Sequence, residues 1–232
     1  MGQASHHYKR GSLTGDLSKA AHLPRRERKK AILRERLFDT AMDLFETQGY
    51  DGTTVIEITE RADVAKGTFF NYFPSKESVL LAYHEQLGRE IHQRAERIAR
   101  TPLSARDRFD RFFAQVSKIA KREKVRLAIL IRQVVVYPGL VPRSGTVERE
   151  HTSWAFLWPS VLAIHRSFLE DGQERGELRG DIDSATAATI ISSIWATTLI
   201  QWAFNDGGFS LQKAMSKRMD VLFAGLARRE DS

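Results

Sequence analysis

Residues 53–77 read TTVIEITERADVAKGTFFNYFPSKE, and this stretch decides the fold. Thr54 followed three residues later by Glu57 is the pattern of a capping box, in which each side chain satisfies a free backbone amide at a helix start. The spacing predicts a short helix from Val55 to about Arg61. Asp63 suits the tight corner that follows, because a short polar side chain tolerates left-handed backbone. A third short helix is expected over about 65–72, ended by Pro74, with Ser75 capping a fourth. Two helices of about two turns separated by three or four residues make a helix-turn-helix.

Upstream, Leu33, Leu37, Ala41, Leu44 and Phe45 form one apolar stripe at helical spacing, on a helix opened by Pro24 and stopped by Gly49. Residues 1–23 are rich in Gly, Ser, His and Ala without periodicity and read as a flexible arm. Downstream, helical patterns cover about 75–100, 104–121, 123–137, 147–176, 184–205 and 210–229. Pro102, Pro138-Gly139, Gly176 with Gly180, and Gly207-Gly208 punctuate them. No strand pattern and no internal repeat occurs. The expected fold is all-α: a basic arm over 1–23, a three-helix helix-turn-helix head over 24–75, and a larger helical body over 76–232.

The 232 residues are 42% hydrophobic and 28% charged, as in an ordinary soluble protein. The charge is unevenly placed. Residues 1–36 hold ten Lys or Arg against three acids, which accounts for the whole formal charge of +7, and the remainder balances. A neutral body with a basic arm implies a polyanionic partner met at the N-terminal end. The chain has no cysteine, which removes disulfides, thiolate metal sites and a Cys nucleophile and fits a reducing cytoplasm. MGQASHHYKRGSLTGD lacks the apolar region of a secretory signal. From Ser184 to Asn205 no charge occurs, about the length of a membrane span, but Ser, Thr and Gln interrupt it repeatedly. A helix buried against protein on most sides is expected there instead, and no membrane partner.

The stretch 53–77, with flanking helices over about 28–90, resembles the signature of TetR-family transcriptional regulators. The carriers of the resemblance are the capped helix, the small turn, the Lys66-Gly67-Thr68 opening, the aromatic run and the Pro74-Ser75-Lys76 exit. It implies a cytoplasmic homodimer that binds double-stranded operator DNA through the head and a small-molecule effector through the body, with the last two helices pairing between subunits. It also implies a repressor released from a palindromic operator by its effector, for which the aromatic residues of the body point to an apolar or aromatic molecule. Two departures stand out: Ala65 where the family often carries a serine, and Phe70 in place of a frequent tyrosine.

The residues support specific roles. A recognition helix enters the major groove by its N-terminal turn, so side chains there must be small or polar. Lys66 can contact a base edge or phosphate, Gly67 permits close backbone approach, and Thr68 offers a hydroxyl and a methyl group. Asn71 has amide geometry suited to adenine, and the resemblance gives Tyr72 a phosphate contact. Thr54 caps its helix beside amides that favour a phosphate, while Lys76 is a candidate phosphate clamp. Arg28, with Arg25, Arg26, Lys29 and Lys30, can follow the DNA backbone. Phe69 and Phe73, four apart, are expected in the head's core.

In the body, Phe109, Phe113, Tyr137, Trp154, Trp158 and Trp195 are the candidate effector pocket, and Pro159 is expected to kink its helix beside Trp158. Ile191, Thr198, Trp202, Met219 and Phe223 are the candidate dimer interface. Glu148 and His151 read as surface charge rather than a metal site, and Arg126 and Arg132 as partners of carboxylates. Neither a cofactor nor a metal is expected. No nucleotide-binding glycine loop, Gly-x-Ser-x-Gly or His-Glu-x-x-His motif occurs, so no catalytic residue is assigned. The competing function is a helical ligand carrier or an architectural DNA-binding protein without effector control.

Overall fold

The computed structural model describes residues 24–136 and 159–226. The N-terminal arm, Tyr137, Trp154 and Trp158, the Glu148–His151 pair and the turn preceding Pro159 lie outside the described residues. Among the described residues the fold is all-α, without a strand.

The elements are α1 (Arg25–Gln48), α2 (Val55–Arg61), α3 (Lys66–Phe70), α4 (Lys76–Ala99), α5 (Ala105–Arg122), α6 (Lys124–Val136), α7 (Pro159–Glu174), α8 (Ser184–Phe204) and α9 (Leu211–Leu226). The chain divides after Ala82 into two compact units, the break falling within α4.

The head is built on α1. Leu37, Ala41, Leu44 and Phe45 are buried as their spacing predicts, joined by Phe38 and Met42, while Leu33 is only half-buried. Ile58 of α2, Phe69 of α3 and Phe73 complete this core. The capping box forms: the Thr54 hydroxyl accepts from the Glu57 amide at 3.2 Å, and the Glu57 carboxylate accepts from the Thr54 amide at 2.7 Å. Asp63 takes the expected left-handed conformation, with φ of 50°. α2 packs on both α1 and α3.

The body centres on α8, which packs on α6, α7 and α9, while α5 packs on α7 and α9. α8 carries no charged residue and alternates small buried residues (Ala188, Ala196, Ala203) with large ones (Ile191, Trp195, Leu199, Trp202). Small side chains let neighbouring helices approach closely and large ones fill the space between them. The Asp183 carboxylate caps α8 by accepting from the Thr186 amide at 2.7 Å. Length and composition would let α8 cross a bilayer, but half of it is buried by its neighbours, so the core-helix expectation accounts for it.

Candidate functional site

The outward face of α3 is the first candidate site. This helix is shorter than expected, five residues instead of two turns, with Asn71 as its C-cap. Pro74 disfavours helical backbone at Phe73, so the helix cannot run on past it. Ala65 supplies no side-chain cap, and the turn is held by backbone bonds such as Thr68 N–H to Ala65 O at 2.8 Å. Phe69 is fully buried, its ring 5.7 Å from that of Phe73. That anchor turns Lys66, Gly67, Phe70 and Asn71 outward, leaving Thr68 and Tyr72 half-buried.

Among the described residues, neither packing nor backbone conformation requires a glycine at position 67. A Cβ built on it meets nothing within 4 Å, and its φ is not in the left-handed region. Glycine within a helix costs roughly 0.5–1 kcal/mol relative to alanine. Nothing in the fold returns that cost; the close approach of an external surface would.

Lys76 is already occupied. Its ammonium donates to the carbonyls of Tyr50 at 2.8 Å and Thr53 at 3.0 Å and lies 4.3 Å from the centre of the Tyr50 ring. The Tyr50 hydroxyl in turn donates to the Glu77 carboxylate at 2.9 Å. Burial, then this bond, push the Tyr50 hydroxyl above its ordinary value. Glu77 is pushed up by burial, but Ser75, its own backbone amide, Tyr50 and Lys76 outweigh that and hold it below the usual carboxylate range. Lys76 therefore ties the α1–α2 loop to α4, with one of its three N–H donors left over. The Thr54 hydroxyl is likewise engaged, donating to Glu57 at 2.8 Å. Arg25, Arg26, Arg28, Lys29 and Lys30 are all exposed in the first turns of α1.

The second candidate site is inside the body. Leu87 and Ile91 of α4, Val116 and Ile119 of α5, Leu127 of α6 and Trp195 of α8 line a wholly apolar cavity of about 10 Å³, room for one water-sized body. Of the expected pocket residues, Trp195 lines it. Phe113 stacks on Trp195 with ring centres 5.3 Å apart, and Phe109 stacks behind Phe113 at 6.0 Å. The aliphatic lining was not singled out from sequence, because Leu, Ile and Val at helical spacing look the same whether they face a gap or a neighbour.

Beside this cluster sits a residue that sequence reasoning passed over. His165 of α7 is fully buried, its ring 5.3 Å from Phe109, 5.2 Å from Phe112 and 5.7 Å from Phe113. Nδ1 lies 2.9 Å from the Ser192 hydroxyl of α8, whereas Nε2 has no partner among the described residues. Burial pushes the imidazole down to about 3, so it is neutral at ordinary pH. The signal was available: Val161, His165, Phe168 and Leu169 share one helical face, and a histidine in that row is bound for the interior.

The five expected dimer residues are placed elsewhere. Ile191, Thr198, Trp202, Met219 and Phe223 are each 8% exposed or less, in the core of a single chain. The most continuous apolar stripe is satisfied by the chain's own α5, α6 and α7. Ile190 and Phe204 of α8 and Val221 of α9 are exposed instead. Arg132 pairs with Asp206 at 3.1 Å, the carboxylate pairing expected of it. Among the described residues no cluster of three metal-ligating side chains occurs.

A short outward helix anchored by one buried aromatic, packed on a capped partner helix across a left-handed corner, is a helix-turn-helix DNA-binding head. The model of bacterial regulatory proteins of the tetR family matches residues 37–83. The chain is 27% identical over 188 residues to the HTH-type transcriptional repressor KstR of Mycolicibacterium smegmatis, covering 81% of this chain and 83% of that one. It is 23% identical to the fatty acid metabolism regulator protein of Bacillus subtilis, over 82% of this chain and 94% of that one. Among solved structures, the TetR-family repressor FadR of Thermus thermophilus, in complex with lauroyl-CoA, superimposes with a TM-score of 0.64 at 26% identity, covering 85% and 97%. The head thus matches the tetR family model, and the chain is similar over most of its length to TetR-family transcriptional regulators.

Proposed function

We propose that this regulator is a dimeric repressor whose heads insert α3 into successive major grooves of a palindromic operator, and whose body releases the DNA on binding an apolar effector. The observation that carries the DNA-facing assignment is Gly67, an unexplained helix glycine at the centre of an exposed face formed with Lys66 and Asn71. Lys66 and Asn71 are the base-reading candidates, and Thr68 and Tyr72 flank them. Arg28 and its basic neighbours supply phosphate contacts. The amides beside Thr54 add a phosphate contact, which sets register rather than sequence.

The wholly apolar cavity beside Trp195, Phe113 and Phe109 supports an apolar effector. So does the likeness to regulators solved with lauroyl-CoA and, in the Bacillus subtilis protein, stearoyl-CoA. At about 10 Å³ the cavity must enlarge to admit such a molecule. The ligand can then shift the protein only by binding the enlarged form better than the closed one.

The dimer surface is the outward side of α8 and α9. Ile190, Ser193, Thr197 and Phe204 share one face of α8, and Val221 of α9 is 79% exposed. Val221→Glu places a charge on that surface without touching the core, and sedimentation should then show monomer in place of dimer.

The experiment that tests the whole is a DNA shift assay with the region upstream of the protein's own gene at physiological salt. A sequence-specific shift lost in Lys66→Ala supports the proposal. Equal affinity for unrelated DNA overturns it in favour of an architectural protein, and no binding overturns it in favour of a carrier.

A further inference from the structure

We infer that His165 is the polar recognition point of the effector site, and that the effector is an apolar molecule carrying a neutral carbonyl oxygen that accepts a hydrogen bond from His165 Nε2. This rests on the effector-controlled function proposed above and adds the chemistry of the ligand to it.

The assignment begins with Ser192. Thr189, Ser193, Thr197 and Thr198, its neighbours on α8, all donate their hydroxyl hydrogens to backbone carbonyls three or four residues back. Ser192 makes no such bond among the described residues; its hydroxyl points to His165 Nδ1 at 2.9 Å. Among the described residues that hydroxyl has no other acceptor, which favours Ser192 as the donor and Nδ1 as the acceptor. A neutral imidazole carries a single N–H, so the hydrogen sits on Nε2. Nε2–H is therefore a donor, fully buried and without an acceptor among the described residues.

A buried donor left unmade is costly, and natural cores seldom keep one without a use. This one is walled by the rings of Phe109, Phe112 and Phe113. Phe113 also stacks on Trp195, which lines the cavity, and so touches both the histidine and the cavity wall. Enlarging the apolar cavity by turning Phe113 aside joins the two spaces. An apolar ligand would fill the enlarged cavity while its carbonyl oxygen met Nε2–H. A neutral donor in an aromatic wall selects a neutral acceptor; a carboxylate would leave a charge buried without a counter-ion. A ketone, a lactone and a thioester share this chemistry.

The test uses the full-length protein and two isosteric probes, methyl nonyl ketone and the alkene in which a methylene replaces its oxygen, with binding followed by tryptophan fluorescence and calorimetry. The ketone should bind at least about tenfold tighter than the alkene, the factor expected when a buried donor gains its partner. His165→Phe, which keeps the apolar volume and removes the donor, should bind both probes alike. Ser192→Ala, at a half-buried position, is the second variant; releasing the tautomer should reduce the preference even if His165→Phe does not fold. Proton–nitrogen NMR of the wild type reads the Nε2–H signal directly, and it should move with the ketone and not with the alkene. Lauroyl-CoA as a third arm tells a thioester from a free ketone by whether its binding shows the same His165 dependence. Equal binding of ketone and alkene by the wild type, a preference that survives in His165→Phe, or no ketone binding up to its solubility limit overturns the inference. A DNA shift on the same preparations keeps the two levels apart. Intact operator binding with no ketone preference removes His165 as the recognition point and leaves the regulator standing, whereas loss of the shift removes the regulator itself.

Discussion

The head and the body treat buried polar groups in opposite ways. In the described head no buried side-chain nitrogen or oxygen lacks a partner: the Thr54–Glu57 box, the Lys76 ammonium and the Tyr50–Glu77 pair bind one another and the backbone. The body leaves His165 Nε2 open inside an aromatic cluster. A fully paired network holds a surface still, which a site needs when it must match the fixed spacing of base edges. An unpaired donor in the interior is stable only until something better arrives. The head is built to present, the body to receive.

The severest way to break this contrast is to remove the anchor of the presenting face. Phe69→Ala deletes a fully buried ring and should cost about 3–5 kcal/mol. Because the chain divides after Ala82, urea unfolding followed by circular dichroism should show the head melting early while body helicity persists, with DNA binding gone. A single transition in the variant would mean that the two units are one cooperative block and that the contrast is false.

The body's open donor predicts a pH dependence. Folded His165 is held at about 3 by burial, against 6.5 in an exposed chain. The unfolded state therefore binds a proton below about pH 6.5 that the native state refuses, and native stability falls as pH drops toward 3. The slope reaches about 1.4 kcal/mol per pH unit. Above pH 6.5 the contribution vanishes. Carboxylates titrate in the same range, so the measurement is the difference between wild type and His165→Phe. Parallel stability curves for the two proteins would show that His165 is not buried as described.

Lys76→Met separates holding the head together from holding DNA. It orphans the carbonyls of Tyr50 and Thr53 and should cost the head about 1–3 kcal/mol. The salt dependence of DNA binding should hardly change, because the ammonium is already spent on the fold. Lys66→Ala should do the reverse, leaving stability alone and costing about 1–3 kcal/mol of preference for the operator over unrelated DNA. A drop in slope for Lys76→Met would return that residue to the phosphate-contacting set.

The same contrast explains what the sequence disclosed. Thr54, Asp63, Phe69 and Pro74 each have a local physical meaning that survives without knowledge of neighbours, so the head was legible nearly to the residue. The end of α3 was expected at about residue 72, whereas the helix ends at Phe70. In the body, function lies inside. Ile191, Thr198 and Trp202 belong to the strongest stripe, and a stripe shows only that it will be buried, not whether its own chain or a second one buries it. The true outward residues, Ile190 and Val221, look like scatter until α5 to α7 are in place. His165 was legible as buried from its helical row, but its missing partner depends on Ser192 some 27 residues away, a pairing no local pattern carries.

The smallest expected effect is also the sharpest test of the head as a presenting surface. Gly67→Ala adds a methyl group where nothing stands within 4 Å, at an ordinary backbone conformation. It should stabilise the head by about 0.5–1 kcal/mol, because alanine loses less backbone freedom than glycine. If the open space above Gly67 is where DNA backbone or base edges approach, the same methyl group should weaken operator binding while it strengthens the fold. Stability and affinity moving in opposite directions from one methyl group would be hard to obtain in any other way. If both rise together, or affinity is unchanged, the space above Gly67 is solvent and α3 meets DNA by another face.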